Sequence, residues 1–231
     1  MPLRLPVGVV ARAFHALYHE AAWGYDAVAW GVSFGQWRAW GAAALPYLIG
    51  PRVLELGHGP GHLLAELAGR GGDVVGLDLS PQMGRLARRR TPAARLVRAR
   101  AQAAPFAAGS FDSALAAFPT AYITAPETLA AIYRLLRPGG RLVVVPEARL
   151  GGRGPLMALV EWLYAITGQR GAAEENPTAR LAFWTAALAG PGFHISLHEE
   201  MVSQSVVTVV VAERPVRPTW GSAPHLIQFA L

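Results

Sequence analysis

The chain predicts an α/β fold, a doubly wound and mostly parallel sheet, on three observations. Short runs at 53–56, 74–77, 95–99, 113–117 and 141–145 each have the length of a strand, and all but 95–99 are mostly apolar, as in a buried strand. Helical patterns separate most of the runs, the alternation that builds parallel sheets from βαβ units. A glycine turn, Gly57-His58-Gly59-Pro60-Gly61, joins the first run to the first of the intervening helices.

Residues 8 to 48 read as helices. Val10, Phe14, Leu17, Ala21 and Tyr25 recur at helical spacing, with Arg12, His19 and Glu20 away from that stripe. Tyr25-Asp26 follows, and then an aromatic stretch, W-G-V-S-F-G-Q-W-R-A-W, from Trp30 to Trp40.

The organising segment runs from Val53 to Ser80. Its first strand carries one acid, Glu55, and leads into the glycine turn. A helix follows with Leu63, Leu64 and Leu67 on one side, then a second strand ending in Asp78. Ser80-Pro81 has the chemistry of an N-cap and first helical residue. Strand, glycine turn, helix, strand and acid make the βαβ unit that binds adenosine-containing cofactors. Glycines admit close backbone approach, and the helix N-terminus offers N–H groups and partial positive charge. The acid at the end of the second strand can accept from ribose hydroxyls. The glycines stand as G-x-G-x-G, and His62 occupies the place where a dinucleotide-binding G-x-G-x-x-G turn has its third glycine.

Past Asp78, a helix from Ser80 carries Met83. The strand at 95–99 leads into R-A-Q-A-A-P-F at 100–106. Gly109-Ser110-Phe111-Asp112 reads as a turn into the strand at 113–117, and Phe118-Pro119-Thr120-Ala121-Tyr122 lies at that strand's carboxyl end, where open α/β sheets bind ligands. A helix over 126–136 ends at Arg137-Pro138-Gly139-Gly140, and a strand over 141–145 follows. After Pro146-Glu147 the chain loosens, then forms an apolar helix over 156–167 with Trp162 and Tyr164. A polar loop over 168–177 precedes a helix through Phe183 and Trp184. Two last strands fall near 194–198 and 203–212, and the tail from Glu213 has no motif.

The turn E-L-G-H-G-P-G followed by G-L-D-L-S-P-Q-M resembles the class I S-adenosylmethionine-dependent methyltransferases. Tyr25-Asp26 followed by S-F-G and W-R looks like the ubiquinone/menaquinone-biosynthesis C-methyltransferases and related phospholipid N-methyltransferases within that class. The resemblance implies a Rossmann-like, seven-stranded sheet that closes in an antiparallel hairpin, covered by a helical N-terminal lid. It implies one domain over 1–231, with the lid at 1–48, a cofactor half at 49–150, and substrate-side helices and closing strands at 151–231. The implied cofactor is S-adenosyl-L-methionine. Its methionine part would be wrapped by Glu55, Gly57, His58, Gly59 and Gly61, its ribose held by Asp78, and its adenine met by Leu79, Met83, Ala101 and Gln102. Tyr25 would contact it from the lid, and Phe118 would line it. Arg100 departs from the family, which commonly has an aspartate there accepting from the adenine amino group; a guanidinium cannot accept.

The expected chemistry is in-line transfer of a methyl group to a small-molecule or lipid-like acceptor. No residue is assigned as catalytic; His15, Tyr18, His19 and Tyr122 are candidate bases if the acceptor must lose a proton. A nicotinamide-dependent oxidoreductase and a noncatalytic S-adenosylmethionine-binding protein stand as alternatives, the second kept open by Arg100.

Composition narrows the partners. The 231 residues contain no cysteine, which excludes a disulfide framework, a cysteine nucleophile and a thiolate metal site. No H-E-x-x-H accompanies His15 and His19, so no metal is expected, and no G-x-S-x-G elbow is present. All 21 basic residues are arginine, the net charge is +6, and seven arginines fall between Arg85 and Arg100. That balance permits peripheral contact with an anionic membrane, while no nucleic-acid motif accompanies it. Nothing resembles a cleavable signal, no run approaches the roughly 20 apolar residues of a membrane span, and the cytoplasm is the expected location.

Overall fold

The computed structural model describes residues 33–150 and 177–216. Seven strands form one sheet in the order β3-β2-β1-β4-β5-β7-β6. They are β1 (Arg52–Leu56), β2 (Asp73–Asp78), β3 (Arg95–Arg98), β4 (Phe111–Ala117), β5 (Leu136–Leu150), β6 (His194–Val202) and β7 (Ser205–Glu213). The helices are α1 (Trp37–Ala42), α2 (His62–Gly69), α3 (Pro81–Arg90), α4 (Pro126–Leu135) and α5 (Pro177–Leu188). β1 pairs in parallel with β2 and β4, β2 with β3, and β4 with β5; β7 alone runs against its neighbours β5 and β6. The chain winds outward from β1 through β2 to β3, then returns to the other side of β1 as β4. This reversal places the switch in strand order between β1 and β4, where the glycine turn leaves the sheet.

Alternation along the strands divides the core in two. Leu142 and Val144 join Leu54, Leu56, Leu77 and Ile132 on one face, while Val143 and Val145 join Trp40, Leu64, Leu115 and Val209 on the other. Successive strand residues point to opposite faces, so apolar runs such as Leu142–Val145 require both faces to be covered. α1 and α2 contribute Trp40, Leu63, Leu64 and Leu67 to one face; α4 and α5 contribute Leu129, Ile132 and Leu188 to the other.

Local chemistry explains the ends of the elements near the site. Ser80 caps α3, its Oγ accepting from the Met83 N–H at 3.3 Å, with Pro81 as the first helical residue. Gly61 caps α2 in the left-handed region at φ 82°. A Cβ there would lie 2.8 Å from the Ala87 Cβ, so a glycine is what lets α2 start against α3. Buried Asp112 accepts from the Arg52 N–H at 2.9 Å and pairs with the guanidinium groups of Arg52 and Arg137, tying the start of β4 to β1 and β5. Burial pushes its carboxyl up, but the Arg52 N–H and the two guanidinium groups prevail and hold it below the usual range.

Three boundaries differ from the sequence reading. β4 begins at Phe111, because the turn residue Asp112 is itself a strand anchor. α4 passes directly into β5 at Leu136, and the R-P-G-G segment lies within the strand as an irregularity in its pairing with β4. β5 then runs through Pro146-Glu147 to Leu150, paired with β7. Its register shifts between Val144 and Glu147, which gives a proline without an N–H a place in the strand. The closing hairpin is the antiparallel pair that was expected. Tyr25, the three N-terminal base candidates and the helix at 156–167 lie outside the described residues.

Candidate functional site

The glycine turn sits at the carboxyl end of β1 with Gly57, Gly59 and Gly61 at φ 68°, 52° and 82°. Its backbone donors are spent on its own shape. Gly57 N–H donates to Leu77 O at 2.7 Å, His58 N–H to the same carbonyl at 3.4 Å, and Gly61 N–H to His58 O at 3.0 Å. The Gly59 N–H donates to Asp78 Oδ2 at 2.9 Å, and the Ser80 N–H to Asp78 Oδ1 at 2.8 Å. Asp78 therefore joins two loops, one oxygen to each. Every carboxylate oxygen has a second lone pair, so Asp78 retains acceptor capacity for ribose hydroxyls.

Glu55 is the electrostatic centre. It is 4 % exposed, and its Oε2 has no hydrogen-bond partner among the described residues. Burial, helped by the charge on Asp78, pushes its carboxyl up to about 8. A buried carboxyl oxygen without a donor carries a desolvation cost that a cationic ligand removes. Glu55 shares a cleft with Trp37, Arg38, Gly57, His58 and Phe118. Arg38, from α1, is exposed on the same cleft, so an acid and a base face one small space. A zwitterionic amino-acid moiety, with ammonium toward Glu55 and carboxylate toward Arg38, matches that pair of charges. The sequence reading did not single out Arg38; its signal was the W-R pair ahead of the glycine turn.

His58 turns inward rather than toward the cleft mouth. Its Nδ1 lies 2.7 Å from Gly59 O, and only 5 % of the residue is exposed. The ring lies over Gly76, where a Cβ would come within 2.8 Å of His58 Cδ2. Burial lowers its pKa, against the opposing pull of Asp78 and of the Gly59 carbonyl.

The remaining candidates surround the ends of β2, β3 and β4. Leu79 is 47 % exposed directly after Asp78, an open apolar surface at a ligand-facing strand end. Met83 is fully buried beneath the loop. Ala101 is buried at the start of a short 3-10 helix after β3, while Gln102 and Arg100 are exposed. Phe118 adopts φ 49°, uncommon for a residue with a side chain, with its N–H on Val145 O at 2.7 Å. Its ring packs 4.1 Å from Trp37 and 6.3 Å from Trp40, centroid to centroid. Tyr122, expected on the acceptor side, instead reaches the glycine turn: its hydroxyl donates to Leu56 O at 3.3 Å, and a Cβ on Gly57 would lie 3.0 Å from it. The β4–α4 loop crosses back over β1 at this point.

A seven-stranded doubly wound sheet with its glycine turn at the switch point, and with acids at the carboxyl-terminal parts of two adjacent strands, defines the class I methyltransferase architecture. Comparison with known proteins supplies the family. Residues 53–140 match a family model described as a methyltransferase domain. The chain is 32% identical over 226 residues to a demethylmenaquinone methyltransferase of Thermus thermophilus, covering 86% of this chain and 100% of that protein. It is 34% identical over 151 residues to a ubiquinone/menaquinone biosynthesis C-methyltransferase of Yersinia enterocolitica, covering 60% of this chain and 59% of the relative. Among solved structures it shares its fold, at TM-score 0.55 and 16% identity, with geranyl diphosphate C-methyltransferase from Streptomyces coelicolor, covering 77% of each chain; that structure holds S-adenosyl-L-homocysteine. The chain belongs to the S-adenosylmethionine-dependent methyltransferases, and is homologous to the menaquinone and ubiquinone C-methyltransferases. It is an enzyme with S-adenosylmethionine as its cofactor, which removes the oxidoreductase and noncatalytic alternatives.

Proposed function

We propose that the enzyme methylates a ring carbon of a quinone-type small molecule. The observation that carries this reading is the 32% identity to a demethylmenaquinone methyltransferase along that protein's entire length, acceptor-side segments included. Incubation with labelled S-adenosylmethionine and a set of acceptors tests it: a reduced naphthoquinone, a phosphorylated ethanolamine and an aromatic amine. Label on the naphthoquinone carbon is the expected result. Methylation confined to the amines overturns it.

S-adenosylmethionine, when bound, supplies a methyl group activated by a positive sulfur for in-line attack by the acceptor. We assign Glu55 to its ammonium and Arg38 to its carboxylate, on the acid and the base those residues present to one cleft, with Glu55 releasing its proton to water as the ammonium binds. We assign Asp78 to the ribose, and Leu79, Ala101 and Met83 to the base. Gly57, Gly59 and Gly61 keep the turn free of side chains, and His58 fixes it to the sheet face. Phe118, braced by Trp37, is an aromatic wall suited to a sulfonium cation and to excluding water. Gln102 and the lid residue Tyr25 complete the set. With an activated donor, orientation and exclusion of water carry much of the rate. A quinone ring bearing a hydrocarbon tail would be met at a membrane surface. Among the described residues no helix is long and apolar enough to cross one, so we place any such contact at the periphery. We read residues 1–231 as one functional domain with 1–48 as its lid.

A further inference from the structure

A second cleft lies between α3 and the edge strand β3, with His58 and Asp78 on the wall it shares with the cofactor site. Its volume is about 420 Å³, within the usual range for small-molecule sites. Pro81, Gly84, Leu96 and Val97 contribute apolar surface, and Arg85, Arg88, Arg89 and Arg98 surround it. Asp78 and Ser80 close one end, where the cleft meets the ribose side of the cofactor site.

Two of the four arginines are braced. Arg88 donates through Nη1 to Pro92 O at 2.9 Å and Ala94 O at 2.7 Å, and Arg98 donates through Nε to Leu79 O at 3.1 Å. A guanidinium has five N–H donors, so both retain donors for a ligand. Arg85 and Arg89 have neither an acid nor a carbonyl partner among the described residues, although like charges at i and i+4 on one helix repel. Of the acids nearby, Asp73 pairs with Arg95, and Asp78, whose two oxygens each accept from a backbone N–H, is the one carboxylate lining the cleft. Four arginines against one acid leave the described lining with a positive balance.

Gly84 leaves the wall of the cleft free of a side chain. It stands inside α3, where glycine is less favourable than alanine. A Cβ at that position would meet nothing within 4 Å, so packing against the sheet does not demand the glycine. A merely solvated arginine face needs no such gap.

We propose that this cleft binds an organic phosphate: a phosphate ester whose apolar body lies over Gly84 and Leu96 and whose anionic oxygens are held by Arg85 and Arg89. Guanidinium forks match phosphate oxygens in bidentate geometry, and a bound anion relieves the repulsion between the two arginines. The ester is either a free small molecule or the headgroup of a phospholipid.

Calorimetry at low salt with phenyl phosphate, and sedimentation with phosphatidylglycerol against phosphatidylcholine vesicles, test the site in the full chain. Two variants accompany the parent: Arg85→Glu with Arg89→Glu, which reverses the charge, and Gly84→Leu, which fills the gap without touching it. Both should retain S-adenosylmethionine binding and methyl transfer. Binding that falls about tenfold or more in both variants supports the site. Such loss seen with phenyl phosphate assigns a free ester; loss seen with phosphatidylglycerol vesicles alone assigns a lipid headgroup. No binding by the parent to either probe overturns the proposal. So does loss in the charge-reversed variant with Gly84→Leu unchanged, because attraction to a solvated face would behave that way.

Discussion

Asp78 and Gly59 are joined directly: the Gly59 N–H donates to Asp78 Oδ2 at 2.9 Å, across the gap between the glycine turn and the end of β2. The acid assigned to the ribose is thus also a strut of the turn that faces the methionine. Its other oxygen holds the Ser80 N–H at the start of α3. Loss of Asp78 should reach cofactor affinity and fold together.

Asp78→Ala removes the ribose acceptor and frees two N–H groups. A hydrogen bond to a charged acceptor is worth about 1.5–3 kcal/mol, so S-adenosylmethionine affinity should fall roughly ten- to hundredfold. The melting temperature without cofactor should fall as well. Calorimetry and a thermal melt on one preparation read both effects. An unchanged affinity in a folded variant would remove Asp78 from the site.

Glu55 makes cofactor binding depend on pH. With its carboxyl pushed up to about 8, it is protonated at neutral pH before ligand arrives. Pairing with an ammonium requires the charged form, so binding releases a proton. Affinity should climb as pH rises toward about 8, by at most about tenfold per unit. Glu55→Gln should bind more weakly and lose that slope. The same shift acts on the free protein with the opposite sense. Between about pH 4 and 8 the folded chain holds a proton that the unfolded chain has released, so this group's stabilisation declines as pH rises through that window. Denaturant melts of parent and Glu55→Gln across the range give the comparison; parallel curves for the two would contradict the raised pKa.

Gly59 and Gly61 separate backbone strain from collision. Both have positive φ, which costs a residue with a Cβ about 1 kcal/mol. An added Cβ on Gly59 meets nothing within 4 Å, whereas on Gly61 it meets Ala87 at 2.8 Å. Gly61→Ala should therefore destabilise the protein clearly more than Gly59→Ala, in urea unfolding at one pH. Equal losses would mean that α2 and α3 do not approach as closely as the structure has them.

Arg100 stands where the family resemblance implies an aspartate, and its side chain is exposed beyond β3. Arg100→Ala should leave S-adenosylmethionine affinity within about twofold, as is usual for surface changes. Arg100→Asp should bind at least as tightly as the parent, by restoring an acceptor near the adenine. A marked loss in the alanine variant would show instead that the guanidinium stacks on the base.

What the sequence determined by itself is local. The segment from Val53 to Ser80 is contiguous, and its glycine spacing, acids and Ser-Pro cap act over a few residues each. Strand, turn and helix there follow from backbone freedom, apolar period and capping, all visible in the order of residues. The number of strands and the antiparallel closing hairpin came through resemblance rather than periodicity. Tertiary structure decided the rest. Arg38 and Glu55 share a cleft only because α1 packs on the sheet beside β1, and Tyr122 reaches Gly57 only because the β4–α4 loop crosses back over that strand. That Glu55 Oε2 has no partner among the described residues follows from its burial, which a pattern of residue types does not contain. The continuation of β5 through Pro146 depends on a register shift against β7, some 60 residues further along the chain. The open space beside Gly84 likewise exists only once α3 lies against β3, because a cleft is what packing leaves unfilled between distant segments.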